Sequence, residues 1–396
     1  MQPTTRTEPT DRPPIRVAHV IPDLAIGGAE TALVRLLEGL DRARFASLVV
    51  TLRDGGELVE RARRAGAQVV SLGMRTRLPS PLTLLRLRAA LAPFAPDVVQ
   101  GWMYHGNLAA WTGARLVRPR PALAWNVRQS LAGLDHERGL TRLVIRANAR
   151  LSSAADAIVN NSRASATQHR DRGFDARRVE IIPNGFDTDV FRPDAEARAE
   201  VRAQLGIAPG SLVAGMVARF DPVKRHDLFL DAVARARGDG VDVHPLLVGS
   251  GIVPENAALA ARITRAGLDG RVHLLGARHD VARLLPALDV LVSASTTEGF
   301  PNAVGEALAS GVPCVVTDTG DCAAIVGDAG VVVPPGDGAA LAAGLEELLR
   351  RAPDDRRRMG ERARARIAAE YTLERCTARY AALYSALASR RAAPRR

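Results

Sequence analysis

Short apolar runs alternate with segments of helical periodicity along almost the whole chain. IRVAHVIPDL (Ile15 to Leu24) has a buried-strand pattern that runs into Gly27, Gly28, Ala29 and Glu30, and TALVRLLEGL then spaces its apolar residues as a helix does. SLVVTL, AQVVSL, DVVQGW, ALAWNV and AIVNNS are further short strands, separated by Arg/Ala/Leu-rich helical stretches such as LTLLRLRAALAPF. Alternation of this kind implies a parallel sheet covered by helices on both faces. The pattern starts afresh at SLVAGMVARF (Ser211 to Phe220) and continues through VHPLLVGSG, RVHLLG, LDVLVSAS, VPCVVTD and GVVVPPG. The expected fold class is therefore α/β, with two doubly wound domains over residues 15–195 and 211–370. Polar, proline-bearing sequence between them reads as a linker across 196–210 with a short helix. A polar Pro/Thr-rich stretch, 1–14, is expected to be a disordered tail, and 371–396 to be an aromatic-bearing helix ending in the basic RRAAPRR.

Composition narrows the function. At roughly 150 residues per domain, 396 residues suit two domains, and no apolar run approaches the ~18 residues of a membrane span. The first fourteen residues lack the apolar stretch of a secretory signal, so a cytoplasmic protein is expected. Cys314, Cys322 and Cys376 form neither a CxxC pair nor a Cys/His cluster; structural metal and a disulfide framework are not expected. A net charge of +11 fits nucleic acid, an anionic membrane surface or an anionic substrate. Nucleic acid is set aside, because there is no zinc pattern, recognition helix or RNP-type aromatic motif. Lys224 is the only lysine among 54 basic residues, which marks a position that needs a compact, flexible ammonium.

The segment TEGFPNAVGEALASGVP (Thr297 to Pro313) follows the strand LDVLVSAS and turns into a helix at about Asn302. In an open parallel sheet, ligands bind where strands end and helices begin, and a helix N-terminus offers unpaired amides to phosphate. Gly299 lets the backbone come close. Glu298 precedes the helix and Glu306 lies one turn inside it; carboxylates there suit vicinal hydroxyls of a sugar or ribose. Taken alone, each reads more readily as an ordinary helix-start acid or a solvated surface acid.

Around those two glutamates the sequence resembles the Glu-x7-Glu signature of glycosyltransferase family 4, the group 1 glycosyltransferases. Glu298, Gly299, Phe300, Pro301, Glu306, Ala307, Ala309, Gly311 and Pro313 all fit it, and IIPNGFDTDVFRP, GMVARFDPVKRHDLFLDAVA and the N-terminal GGAE are similar to other segments of the family. The resemblance implies a GT-B architecture, in which two Rossmann-like domains face each other across a cleft, and a retaining, metal-independent hexosyl transfer from a nucleotide diphosphate sugar. It assigns Glu306 to the ribose, places Glu298, Gly299, Phe300 and Asn302 beside the donor, and makes Arg219 and Lys224 the pair that holds the diphosphate. Two fixed cations stabilise the charge of a departing nucleoside diphosphate without a metal. Gly27 and Gly28 match the glycine turn that approaches the donor from the first domain, and His105 matches a histidine near the reacting sugar. Gly249 and Arg278 match positions where relatives cradle the nucleotide. Asn126 and Arg128, after another strand, are candidates for the acceptor side, whereas Asp318 and Asp321 read as caps or turn residues.

The acceptor is a sugar or lipid-linked molecule in this reading, with cell-surface polysaccharide or glycolipid synthesis as the setting. Between Arg75 and Arg150 stand 12 arginines against Asp97, Asp135 and Glu137, a surplus that suits an anionic membrane surface at up to ~1 kcal/mol per basic residue. A sugar-nucleotide epimerase of the same architecture is the alternative; it would need no acceptor.

Overall fold

The computed structural model describes residues 13–75, 80–131 and 139–392. Its first sheet contains β1 (Ile15–Ile21), β2 (Phe45–Thr51), β3 (Gln68–Ser71), β4 (Val98–Trp102), β5 (Ala122–Val127), β6 (Ala157–Asn160) and β7 (Val179–Ile181), in the order β3-β2-β1-β4-β5-β6-β7. The second contains β8 (Leu212–Val217), β9 (Val243–Val248), β10 (His273–Leu274), β11 (Val290–Ser293), β12 (Cys314–Thr317) and β13 (Gly330–Val333), in the order β10-β9-β8-β11-β12-β13. Every recorded pairing within both sheets is parallel. This is the expected pair of Rossmann-like domains in the GT-B arrangement. Of the strands, only β7 escapes the hydrophobic pattern, because three residues, Val179–Ile181, are too short a run to stand out.

Each order reverses once, between β1 and β4 in the first sheet and between β8 and β11 in the second. Neighbouring connections leave in opposite directions there, and a crevice opens at the strands' carboxyl ends. The turns after β1, β4, β8 and β11 carry Gly28, Met103, Lys224 and Glu298, all four on the wall of one interdomain cleft. The fold itself therefore brings the candidate chemistry together.

Residues 195–204, all but the first within the segment expected to link the domains, form a helix bound to the second sheet. Arg198 and Arg202 each lie 2.7 Å from one carboxylate oxygen of Asp289, which also accepts the Val213 amide at 2.8 Å. The last helix, Leu373–Ala392, instead returns to the first domain. Tyr380, Tyr384 and Leu387 are buried there among Ile21, Leu33, Trp102 and Val159, each burial contributing about 1.5–3 kcal/mol. Arg391 clamps the far end to Asp97 at 2.8 Å. At the crossing point Phe186 donates its amide to Tyr371 and accepts that of Leu373, and its ring fills the space a side chain at Gly305 would need.

Candidate functional site

The cleft encloses about 1500 Å³. On the second-domain wall, the turn after β8 is shaped by Asp221, whose carboxylate accepts the Val223 amide at 3.0 Å and pairs with Arg219 at 3.0 Å. Arg225 takes a left-handed conformation (φ 53°) so that helix His226–Gly238 can start at once. Lys224 is thereby held at the cleft wall. The Thr296 amide donates to Val223 O at 2.8 Å and ties this turn to the one after β11.

That second turn carries Glu298. Its Oε1 accepts from Lys224 Nζ and from Ser295 Oγ, both at 2.6 Å. Lys224 and Glu298 are each mostly buried, whereas the Arg219 side chain, paired with Asp221, is 64% exposed. One cation is thus preorganised and the other exposed. Helix Asn302–Ala309 follows with no side-chain cap; the Asn302 backbone amide donates to Phe300 O at 3.0 Å, which leaves the Ala303 and Val304 amides as the donors of its first turn. Glu306 is enclosed, and burial raises its pKa while Arg35, 3.5 Å away on the first domain, works against that rise.

Gly28, Arg219, Lys224, Glu298, Gly299, Phe300, Asn302 and Glu306, the residues expected beside the donor, all line the cleft, and so does Arg128, a candidate for the acceptor side. Gly299 does so for a steric reason: a Cβ there would stand 2.8 Å from the Arg128 carbonyl of the facing domain. Phe300 is chiefly structural, stacking on Phe186 at 6.1 Å. Gly27 lines a smaller chamber of about 240 Å³ behind the cleft, together with Arg35, Arg128, Asn184 and Glu306.

Four expected residues stand elsewhere. Asn126 is fully buried and donates to the Tyr380 hydroxyl at 2.7 Å, so it anchors the last helix and presents nothing to an acceptor. Gly249 (φ 150°) is packed against the backbone of Ala218, where any side chain would collide; it permits close strand-end packing and is not among the residues lining the cleft. Arg278 is paired with Asp280 at 2.6 Å on the surface. His105 is half-buried in the first turn of helix Met103–Leu116, and Met103 (φ 61°), not His105, forms the cleft wall after β4. Asp321 acts as a cap, but across the domains: it accepts the Arg163 and Ala164 amides at 2.9 and 3.1 Å.

The sequence reading had not singled out Glu30, Asn184 or Ser295. Glu30 lines the cleft from the first turn of helix Gly28–Gly39, with its pKa raised chiefly by burial, against a backbone hydrogen bond from its own amide that lowers it. Among the described residues no cluster of His, Cys, Asp and Glu is arranged to hold a metal ion. No described helix is long and apolar enough to cross a membrane.

Comparison with known proteins agrees with this geometry. Residues 26–190 match the family described as Glycosyltransferase Family 4, and residues 211–351 the family described as Glycosyl transferases group 1. The chain is similar to EpsF of Bacillus subtilis (strain 168), 29% identical over 314 residues that cover 77% of this chain and 79% of that protein. It is 30% identical over 307 residues to a D-inositol 3-phosphate glycosyltransferase of Mycobacterium marinum, 74% of this chain but only 64% of that one. Among solved structures, Anabaena HepE in complex with UDP and glucose superposes with a TM-score of 0.81 at 23% identity, covering 94% of this chain and 100% of HepE. WaaG, a glycosyltransferase involved in lipopolysaccharide biosynthesis, gives 0.72 at 18% identity over 93% of this chain and 99% of its own. At these identities the structural likeness shows the fold.

Proposed function

The chain belongs to the group 1 glycosyltransferases of family 4, and from that membership we propose that it moves a hexosyl unit from a nucleotide diphosphate sugar to a sugar or lipid-linked acceptor, with retention and without a metal or other cofactor. The observation that carries this reading is the Lys224–Glu298 pair at the second switch point, with the exposed Arg219 beside it and the Gly28 turn opposite. The bond between the sugar's C1 and the diphosphate oxygen breaks, and the electron pair leaves with the nucleoside diphosphate. Lys224 and Arg219 stabilise that developing charge. The acceptor hydroxyl oxygen bonds to C1 from the same face, and its proton passes to the departing phosphate oxygen. Glu306 accepts hydrogen bonds from the ribose, and Glu298, with Oε1 already engaged, offers Oε2 to the sugar.

HepE binds UDP and UDP-glucose, which supports a nucleotide diphosphate sugar as donor without choosing the base here. WaaG acts in lipopolysaccharide biosynthesis, which supports a cell-surface polysaccharide or glycolipid product. In this reading the protein works in the cytoplasm, at the inner face of the membrane. The first domain exposes Leu82, Leu85 and Leu143 near Arg86, Arg88 and Arg142 in sequence, a composition suited to an anionic lipid surface. The testing experiment is a screen of UDP, GDP and ADP hexoses with a soluble and a lipid-linked acceptor. Acceptor-dependent release of one nucleoside diphosphate is expected. Conversion of the donor sugar to its epimer without any acceptor would overturn the reading.

A further inference from the structure

Behind the cleft, three side chains form a hydrogen-bonded row that crosses from the first domain to the second. Arg128 Nη2 donates to Asn184 Oδ1, and Asn184 Nδ2 donates to Asn302 Oδ1 at 2.6 Å. Arg128 is itself held by the Tyr380 hydroxyl, 3.4 Å from Nη1, and by the Trp102 ring, 5.5 Å from its guanidinium carbon. Asn184 is 8% exposed, and Asn302 is the first residue of the helix that carries Glu306.

The direction of this row is chemically forced. A guanidinium only donates, so the Asn184 amide must turn its oxygen to Arg128 and its nitrogen to Asn302. Asn302 must then receive that donor on its oxygen. Its own amide nitrogen is left pointing away from Asn184, without a partner among the described residues, on a residue that lines the cleft. An unconstrained asparagine presents oxygen or nitrogen equally well; this one has been set as a donor. We infer that Arg128 is a positioning residue which, through Asn184, fixes the Asn302 amide as a hydrogen-bond donor toward the diphosphate of the bound nucleotide. The inference rests on the reading of the cleft as a nucleotide diphosphate site. Charge at Lys224 and Arg219 attracts the diphosphate; the row adds a neutral donor whose polarity is set from the opposite domain, so it exists only when the two domains meet.

Asn184→Asp tests it. Aspartate still pairs with Arg128 but donates nothing, so Asn302 must reverse and turn its oxygen to the cleft. Binding of UDP, GDP and ADP and of the matching nucleosides is measured by calorimetry for wild type, Asn184→Asp, Asn302→Ala and the double variant. For the base that wild type accepts, Asn184→Asp should weaken the diphosphate about tenfold or more and the nucleoside by less than about twofold. The double variant should be no worse than Asn302→Ala alone, since both remove the same donor. If Asn184→Asp does not fold, Arg128→Lys and Arg128→Gln supply the comparison: the donor-only lysine should retain more diphosphate affinity than the glutamine, which lets the row run either way. Unchanged diphosphate affinity, or equal loss of diphosphate and nucleoside, overturns the positioning role alone. A wild-type protein that binds none of the three diphosphates overturns the functional reading as well.

Discussion

The only lysine of the chain, Lys224, stands 2.6 Å from Glu298, although 74 residues separate them. The pair exists because β8 and β11 are neighbours at the switch point of the second sheet, so the two turns that follow them share one crevice. An ammonium held by a carboxylate that the Ser295 hydroxyl fixes in turn loses little freedom when a diphosphate arrives, which is what preorganisation requires.

Replacing the exposed cation should separate chemistry from stability, and replacing the buried one should not. Arg219→Ala should cut turnover by ~10²-fold or more with an unchanged melting temperature, since that side chain is 64% exposed. Lys224→Ala should cost at least as much activity and also lower the melting temperature, because it leaves the mostly buried Glu298 without its cation. Initial rates with thermal melts decide this. Near-normal rates in both variants would remove the diphosphate assignment.

Transfer should persist in excess EDTA, since Lys224 and Arg219 supply the positive charge at the departing group. The measurement is the initial rate with and without chelator, followed by added magnesium or manganese. Loss of activity with EDTA and its rescue by metal would show that the charge comes from elsewhere.

Much of this site was legible before any coordinates, because its residues stand at strand ends and helix starts, and apolar alternation reveals those. Gly28, Lys224, Glu298 and Asn302 all belong to such junctions. Asn126 misled for a physical reason: it is one residue from the end of β5, and its partner Tyr380 lies 254 positions away on a helix whose docking surface no local pattern discloses. His105 stands in the first turn of helix Met103–Leu116, which begins directly after β4, and Met103 is the residue there that lines the cleft. Asn184 lay within a segment already noted, but an uncharged residue after a three-residue strand carries no signal of its own; only the coordinates show it between Arg128 and Asn302.

Glu306→Gln should exchange function for stability. Burial raises the Glu306 pKa, so its ionised form destabilises the folded chain; this carboxyl favours folding when protonated, and that contribution is lost as pH rises through the raised value. The glutamine variant should therefore be more stable than wild type at neutral pH, with the difference vanishing below the ordinary glutamate value of 4.5. Nucleoside affinity should fall about tenfold or more, as when a charged acceptor is removed. Urea unfolding at several pH values, with nucleoside titration, checks both. Equal stability at neutral pH, or undiminished affinity, would contradict this role.

Three buried histidines should make the protein acid-sensitive. Desolvation pushes His19 down to about 3 and His169 and His226 down to about 4, so all three are neutral in the folded state at pH 7. A lowered folded value means stability that is complete above 6.5 and lost as pH falls toward those values. Each group contributes a slope of up to ~1.4 kcal/mol per pH unit in that window. Urea midpoints at pH 7, 6 and 5 should fall progressively, and less steeply when His169 is replaced by asparagine. A flat profile, or an unchanged slope in that variant, would contradict the assignment.

Retention is the central mechanistic proposal, and the anomeric configuration of the product tests it most directly. With the donor identified by the screen, NMR of the product formed on a soluble or lipid-linked acceptor reports the linkage. An α-linked product from the α-linked donor is expected, with no glycosyl adduct on Glu298 or Glu306 detectable by mass spectrometry. A β-linked product would show attack from the opposite face and contradict the same-face transfer proposed for this cleft.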